Sequence, residues 1–327
     1  MITVLAYAAI YLIWGSTFLA IRIAIATIPP ILMMGIRCVS AGALLVAVAA
    51  LRGERPRWRA WGDATVAGAL MFGGPYAALA WSEQRLSSGM AALLVATLPF
   101  WLALIEWMRG SRPSARALVG LTVGLFGVAL LVGGGLTMRS AAWPMAAIII
   151  GELAWATGSV VSQPRLPKSL LLNAGMPLAA GGALLLLFSL AVGESHRFDP
   201  HAVSGASLAA LAYLTIFGSI VAFSAYMFLL GVAPASRVGT HAYVNPLIAV
   251  ALGAGLAGER ITASIGIAAV LIAAGVALVL GAKSRQRPPT SLSSTPRRVS
   301  RRRRATLVPE LVADARSATA GRIQPPS

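Results

Sequence analysis

The stretch VLAYAAIYLIWGSTFLAIRIAIA, Val4 to Ala26, runs for 23 residues with a single charge, Arg22, and no proline. A helix that crosses a bilayer needs roughly 20 mostly apolar residues, and this run supplies them. A surface helix of a soluble domain carries a polar face opposite its apolar one; here the polar side chains are scattered through the run. The segment therefore reads as a membrane span. No basic residue precedes Arg22 and the run is long, so it lacks the charged leader of a cleaved secretory signal and is expected to stay as the first span.

The rest of the chain repeats the pattern. Of 327 residues, 57% are hydrophobic and only 11% charged, with a mean hydropathy of +0.79. A water-soluble domain of this length has no need of so much apolar surface. Charges, prolines and glycine clusters divide the apolar region into ten candidate spans, at about 4–26, 31–51, 64–82, 88–108, 115–135, 143–163, 169–192, 206–230, 236–257 and 262–281. The expected fold is an all-α membrane protein of ten transmembrane helices.

The formal charge of +17 is concentrated at one end. From Lys283 onward, eleven Lys or Arg, including the cluster Arg301 to Arg304, face only Glu310 and Asp314. This segment, 283–327, has the Pro, Ser, Thr and Arg composition of a disordered tail. It is expected to touch anionic lipid, and a nucleic-acid partner is not expected. Before it, alternate loops carry ten basic residues, such as Arg52, Arg55, Arg57, Arg109 and Arg237, against Arg85, Arg139, Arg197 and Arg260 on the other side. The asymmetry predicts that both termini are cytoplasmic.

Two halves share landmarks. LIWGSTFL at 12–19 echoes LAWATGSVV at 153–161, LPF at 98–100 echoes NPL at 245–247, and GVALLV at 127–132 echoes GVALVL at 275–280. Residues 1–138 and 139–282 then hold five spans each. An odd number of spans per repeat inverts the second half in the membrane, the architecture of many secondary carriers.

These blocks, with AYVNPLIAVALGAGLAGERIT in the ninth span, resemble the drug/metabolite transporter superfamily, specifically its EamA-type ten-helix bacterial inner-membrane members. The resemblance covers about residues 4–281. It implies two five-helix halves around a central cavity and export or exchange of small metabolites by alternating access. Family members usually have Tyr where this chain has His241, so a specificity role falls on that residue.

Nothing in the sequence looks enzymatic. There is no phosphate-binding glycine loop, no H-E-x-x-H and only three His. The single cysteine, Cys38, leaves no disulfide and no thiolate metal cluster, and is expected to pack. No catalytic residue, cofactor or metal is expected, and transport would draw on an ion or substrate gradient.

Polar groups inside spans are costly and mark paired or functional positions. His241 and Asn245, four apart, share a helix face, while Tyr243 points elsewhere. Pro246 frees the carbonyl of Ala242 beside them. Glu152 is the deepest acidic residue, on one stripe with Trp155 and Ser159. The expected substrate-binding set is Trp14, Tyr76, Glu152, Trp155, His241 and Asn245, with Glu152 and His241 as the proton-coupling pair. The two Trp, mid-span in equivalent places, would supply apolar enclosure. Arg22 and Arg37 are expected to snorkel toward headgroups, with anion attraction as the alternative for both. Glu106 is expected to pair with Arg109 or Arg112, and the turn Gly258 to Arg260 to orient helices. Gly120 and Gly124 form a close-packing face, within the bundle or in a homodimer. Amino acids, their amphipathic relatives and drugs all fit such a cavity; a passive channel, or a sensor acting through the tail, remains open at this point.

Overall fold

In the computed structural model, residues 1–86, 94–132, 142–257 and 263–282 are described. Most of them are helical, with no strand among them. The apolar runs become α1 (Ile2–Ala24), α2 (Pro30–Leu51), α3 (Trp58–Ser82), α4 (Leu98–Met108), α5 (Ala115–Val132), α6 (Ala142–Arg165), α7 (Leu170–Ala191), α8 (Gly205–Val232), α9 (His241–Ala257) and α10 (Ala263–Leu280). Six of them, α1, α2, α3, α6, α7 and α8, are long and apolar enough to cross a membrane. The basic tail and the turn Gly258 to Arg260 lie outside the described residues.

Local chemistry sets several ends. Pro30 opens α2 at a position where no amide donor is needed. The Ser169 hydroxyl accepts from the Leu172 amide at the start of α7, and Ser204 accepts from the Ser207 amide at the start of α8. Two expectations need correction. The third helix begins at Trp58, ahead of residue 64, because a helix, unlike an apolar span, can continue through polar residues such as Arg59 and Asp63. The ninth span is not continuous: a short helix, Ala235–Val238, turns at Gly239 and Thr240 before α9 starts at His241. Thr240 stabilises the break by donating its hydroxyl to the Arg237 carbonyl at 2.6 Å.

Helices α3, α6 and α8 each contain a wide π-helical segment, at Ala69–Gly73, Gly158–Ser162 and Leu214–Ala222. Such segments shift side chains relative to a regular helix and are frequent at functional sites.

Packing follows the small residues. Helix α2 lies on α7 so closely that a Cβ on Gly42 would fall 2.7 Å from the Gly175 carbonyl. Likewise α5 lies on α10, where a Cβ on Gly275 would fall 2.7 Å from the Gly120 carbonyl, and the ring of Tyr243 covers Gly124. Gly120 and Gly124 thus serve packing within the bundle. Around these pairs, α1 packs on α8 and α9 and α6 packs on α3 and α4; α2 also meets α8 and α7 also meets α3. Cys38 is fully buried among them.

Candidate functional site

A cavity of about 100 Å³ opens among α1, α2, α3, α4, α6 and α9. The residues singled out by sequence all stand on its wall: Trp14 from α1, Tyr76 from α3, Glu152 and Trp155 from α6, His241 and Asn245 from α9. Helix α1 contributes Trp14, Thr17, Phe18 and Ile21, so the space follows the C-terminal half of that helix. Toward its N-terminal end, Ile10 is fully buried and the Tyr11 hydroxyl bonds Thr240 Oγ1 at 2.6 Å. Packed side chains therefore close that direction.

Aromatic rings form the floor. Trp14 meets Trp155 edge to face, with centroids 6.1 Å apart, and Trp155 stacks on Tyr76 at 5.9 Å with an interplanar angle of 16°. Behind them Tyr226 of α8 is fully buried. Its hydroxyl accepts from Trp155 Nε1 at 3.1 Å and shares a 2.8 Å bond with Ser159 Oγ, whose own back-bond to the Trp155 carbonyl fixes the turn. Trp14 Nε1 donates to the Gly218 carbonyl at 3.0 Å, in the π-helical segment of α8. Each indole donor is thus satisfied, as burial requires. Edge-to-face pairs of this kind place a positive ring edge on a negative face.

His241 is nearly buried at the start of α9, its ring 4.6 Å from Trp14 and 5.7 Å from Tyr226. Its Nδ1 lies 3.0 Å from the Val238 carbonyl, a contact that holds a proton on that nitrogen and leaves Nε2 as an acceptor while the ring is neutral. Asn245, on the same face, is 5% exposed, and its Oδ1 has no hydrogen-bond partner. Tyr243 points away, donating to the Leu121 carbonyl of α5 at 2.9 Å. Glu152 is half-buried and makes no hydrogen bond among the described residues.

Two expectations fail here. Arg37 does not snorkel. It is 2% exposed and lines the cavity, with Nε donating to Ser219 Oγ at 2.7 Å and Cζ 5.5 Å from the Tyr76 ring centre. Arg22, by contrast, is exposed. Glu106 does not pair with Arg109 or Arg112: its carboxylate accepts from the Ala235 amide at 2.7 Å and the Ser236 amide at 3.1 Å, capping the short helix before α9. Four free donors at a helix start are a stronger lure for a carboxylate than a mobile surface cation. Tyr226 was also not foreseen; its signal was a hydroxyl in the middle of the run FSAYMF. His196 and His201 sit in short turns between α7 and α8, and no group of three or more metal-ligating side chains occurs among the described residues.

The chain has relatives among known membrane proteins. Residues 1–133 and 142–281 match the EamA-like transporter family. The chain is 37% identical over 257 residues to the uncharacterized inner membrane transporter YedA of Escherichia coli K12, covering 78% of this chain and 82% of that one. It is 23% identical over 280 residues to the uncharacterized transporter YvbV of Bacillus subtilis, covering 85% and 91%. A solved crystal structure with 20% identity superposes with a TM-score of 0.71, covering 84% of this chain and 95% of that one, which supports the fold. With apolar helices surrounding a cavity and both halves of the chain matched, this multi-pass membrane protein belongs to the EamA-like transporter family.

Proposed function

We propose that the chain is a secondary-active carrier of ten spans in two inverted five-helix halves, exporting small amphipathic metabolites, amino acids, their relatives or drugs, by alternating access. The observation that carries it is the cavity itself: Trp14 and Tyr76 from the first half and Glu152, Trp155, His241 and Asn245 from the second share one wall. Substrate sites of such carriers lie at the interface of the repeats. The helix packing supports the inverted halves, because adding five to the helix labels turns the α1 contacts with α8 and α9 into those of α6 with α3 and α4. The packing beyond Trp14, where Ile10 is buried and Tyr11 bonds Thr240, supports a carrier over an open channel.

In this reading the indoles of Trp14 and Trp155 enclose the apolar part of the substrate, and Asn245 Oδ1 accepts a hydrogen bond from it. Glu152 and His241 carry the coupling proton. Both termini lie in the cytoplasm and the basic tail lies against anionic lipid.

The test is untargeted mass spectrometry of culture medium from cells expressing wild type or Trp155→Ala at matched membrane levels. Enrichment of a metabolite by wild type alone supports the carrier and its cavity; the same enrichment by both removes the cavity role of Trp155. In proteoliposomes, Glu152→Gln is expected to remove the response of transport to an imposed pH gradient. A gradient-independent wild type ends the coupling assignment.

A further inference from the structure

Arg37 is a guanidinium in the interior of a membrane span with no carboxylate within 4.0 Å among the described residues. Ionisable groups in that setting face a partner or a wet cavity, and they mark a ligand when no protein partner is present. Here the side chain is held in place: Nε donates to Ser219 Oγ at 2.7 Å, and Nη1 reaches only the weak acceptor Met34 Sδ at 4.0 Å. Nη2 lies over Gly218, where a Cβ would come within 3.0 Å of it, and it makes no hydrogen bond to the protein among the described residues. Arginine is always charged and offers its donors in a fork that matches a carboxylate. The π-helical segment of α8 thus positions a cation at the cavity wall, through Ser219, and leaves its outer donors unused.

The complementary groups stand on the same cavity. Asn245 Oδ1 is a buried acceptor with no partner, and the Glu152 carboxylate is likewise without a hydrogen bond among the described residues. A purely anionic substrate would leave both acceptors unsatisfied, at a desolvation cost. A neutral amphipath would leave Arg37 uncompensated.

We propose that Arg37 is the anion-binding group of the cavity and that the substrate is a zwitterion, its carboxylate on Arg37 and its ammonium toward Glu152 and Asn245. This rests on the carrier reading above for the location of the site. Ser219 is the positioning residue: it touches Arg37 and orients the fork.

The test uses the purified full-length chain in lipid nanodiscs, with quenching of its intrinsic tryptophan fluorescence as the readout. Each common L-amino acid is titrated, followed by the C-terminal amide and the N-acetyl derivative of any that bind. Wild type is expected to bind at least one amino acid and to bind its amide about tenfold more weakly, since the amide loses the charge-assisted pair. Arg37→Met is expected to abolish that preference, weakening the acid while leaving the amide unchanged. Ser219→Ala, which keeps the charge, is expected to shrink the preference without removing it, and it serves if Arg37→Met does not fold. Glu152→Gln is expected to narrow the gap between the amino acid and its N-acetyl form.

Acid preference that survives in both Arg37→Met and Ser219→Ala overturns the proposal. So does a wild type that binds no amino acid. If that same protein still exports another metabolite, the carrier reading stands and only the zwitterion assignment fails. Arg37-dependent binding without any flux in proteoliposomes has the opposite meaning.

Discussion

Trp14 and Trp155 meet at an interplanar angle of 82° with ring centroids 6.1 Å apart, although 141 positions separate them in sequence. Each donates its indole N–H to a group of α8, Trp14 to the Gly218 carbonyl and Trp155 to the Tyr226 hydroxyl. The pair is expected to be energetically coupled. A double-mutant cycle with Trp14→Ala and Trp155→Ala, read by thermal unfolding in detergent, should give about 0.5–1.5 kcal/mol of interaction. Strictly additive losses would mean that the rings are merely adjacent.

Tyr226 anchors the same floor with one oxygen. Its hydroxyl accepts from Trp155 Nε1 and shares a bond with Ser159. Tyr226→Phe keeps the ring and leaves the buried indole donor unpaired, a loss of roughly 1–3 kcal/mol. The phenotype expected is a lowered Tm together with altered Trp155 fluorescence. Retention of both would show that water or a shifted Ser159 replaces the hydroxyl.

The glycines separate packing from chance. Gly42 faces the α7 backbone at Ala179 and Gly175, whereas a Cβ on Gly62 meets nothing within 4 Å. Gly42→Val is expected to abolish accumulation of the folded protein, because backbone cannot give way as a flexible side chain can. Gly62→Ala is expected to be neutral or stabilising by up to about 1 kcal/mol, the usual helix preference of Ala over Gly. Size-exclusion profiles of the two variants check both at once.

Six spans were legible because twenty-residue apolar runs have few other readings, and the cavity residues because polarity inside such runs demands a reason. Asn245 and His241 followed from a spacing of four, and Tyr243 was correctly set apart by the same helical geometry. Arg37 was misplaced because distance from a span end says nothing about which neighbour covers a side chain. A clue was present: Met34, Arg37, Ala41 and Leu45 form one stripe, and all four are buried. Glu106 was misread because its real partners, the amides of Ala235 and Ser236, lie about 130 residues away in sequence. Those amides are free because α8 stops at Val232 and the short helix starts anew at Ala235, and the contacts that meet the two ends of that helix, from Glu106 and from Tyr11 through Thr240, come from segments no local pattern encodes.

Glu106 has a counterpart in Glu194: each carboxylate ties the end of one helix to the amides that open another. Glu194 accepts from the amides of Ile31 and Leu32 at 3.3 and 2.8 Å, and from Ser189 Oγ at 3.1 Å, tying the end of α7 to the start of α2. Glu106 does the same for α4 and the short helix Ala235–Val238, beside the Tyr11 to Thr240 contact. Hydrogen bonds to a charged group contribute about 1.5–3 kcal/mol, so losing the Glu106 clamp should shift an open–closed equilibrium by about tenfold or more. A reporter is available at Val238, which is fully buried. In a Cys38→Ala, Val238→Cys background, Glu106→Ala is expected to raise the rate of maleimide labelling by about tenfold. Glu194→Ala should lower the Tm without changing that rate, because its partners are the Ile31 and Leu32 amides at the start of α2 and Ser189, none of them in the segment that carries Val238. Equal labelling with and without Glu106 would assign the carboxylate to helix capping alone. Faster labelling in the Glu106 variant only would identify the carboxylate as a clamp whose release opens the protein around Val238.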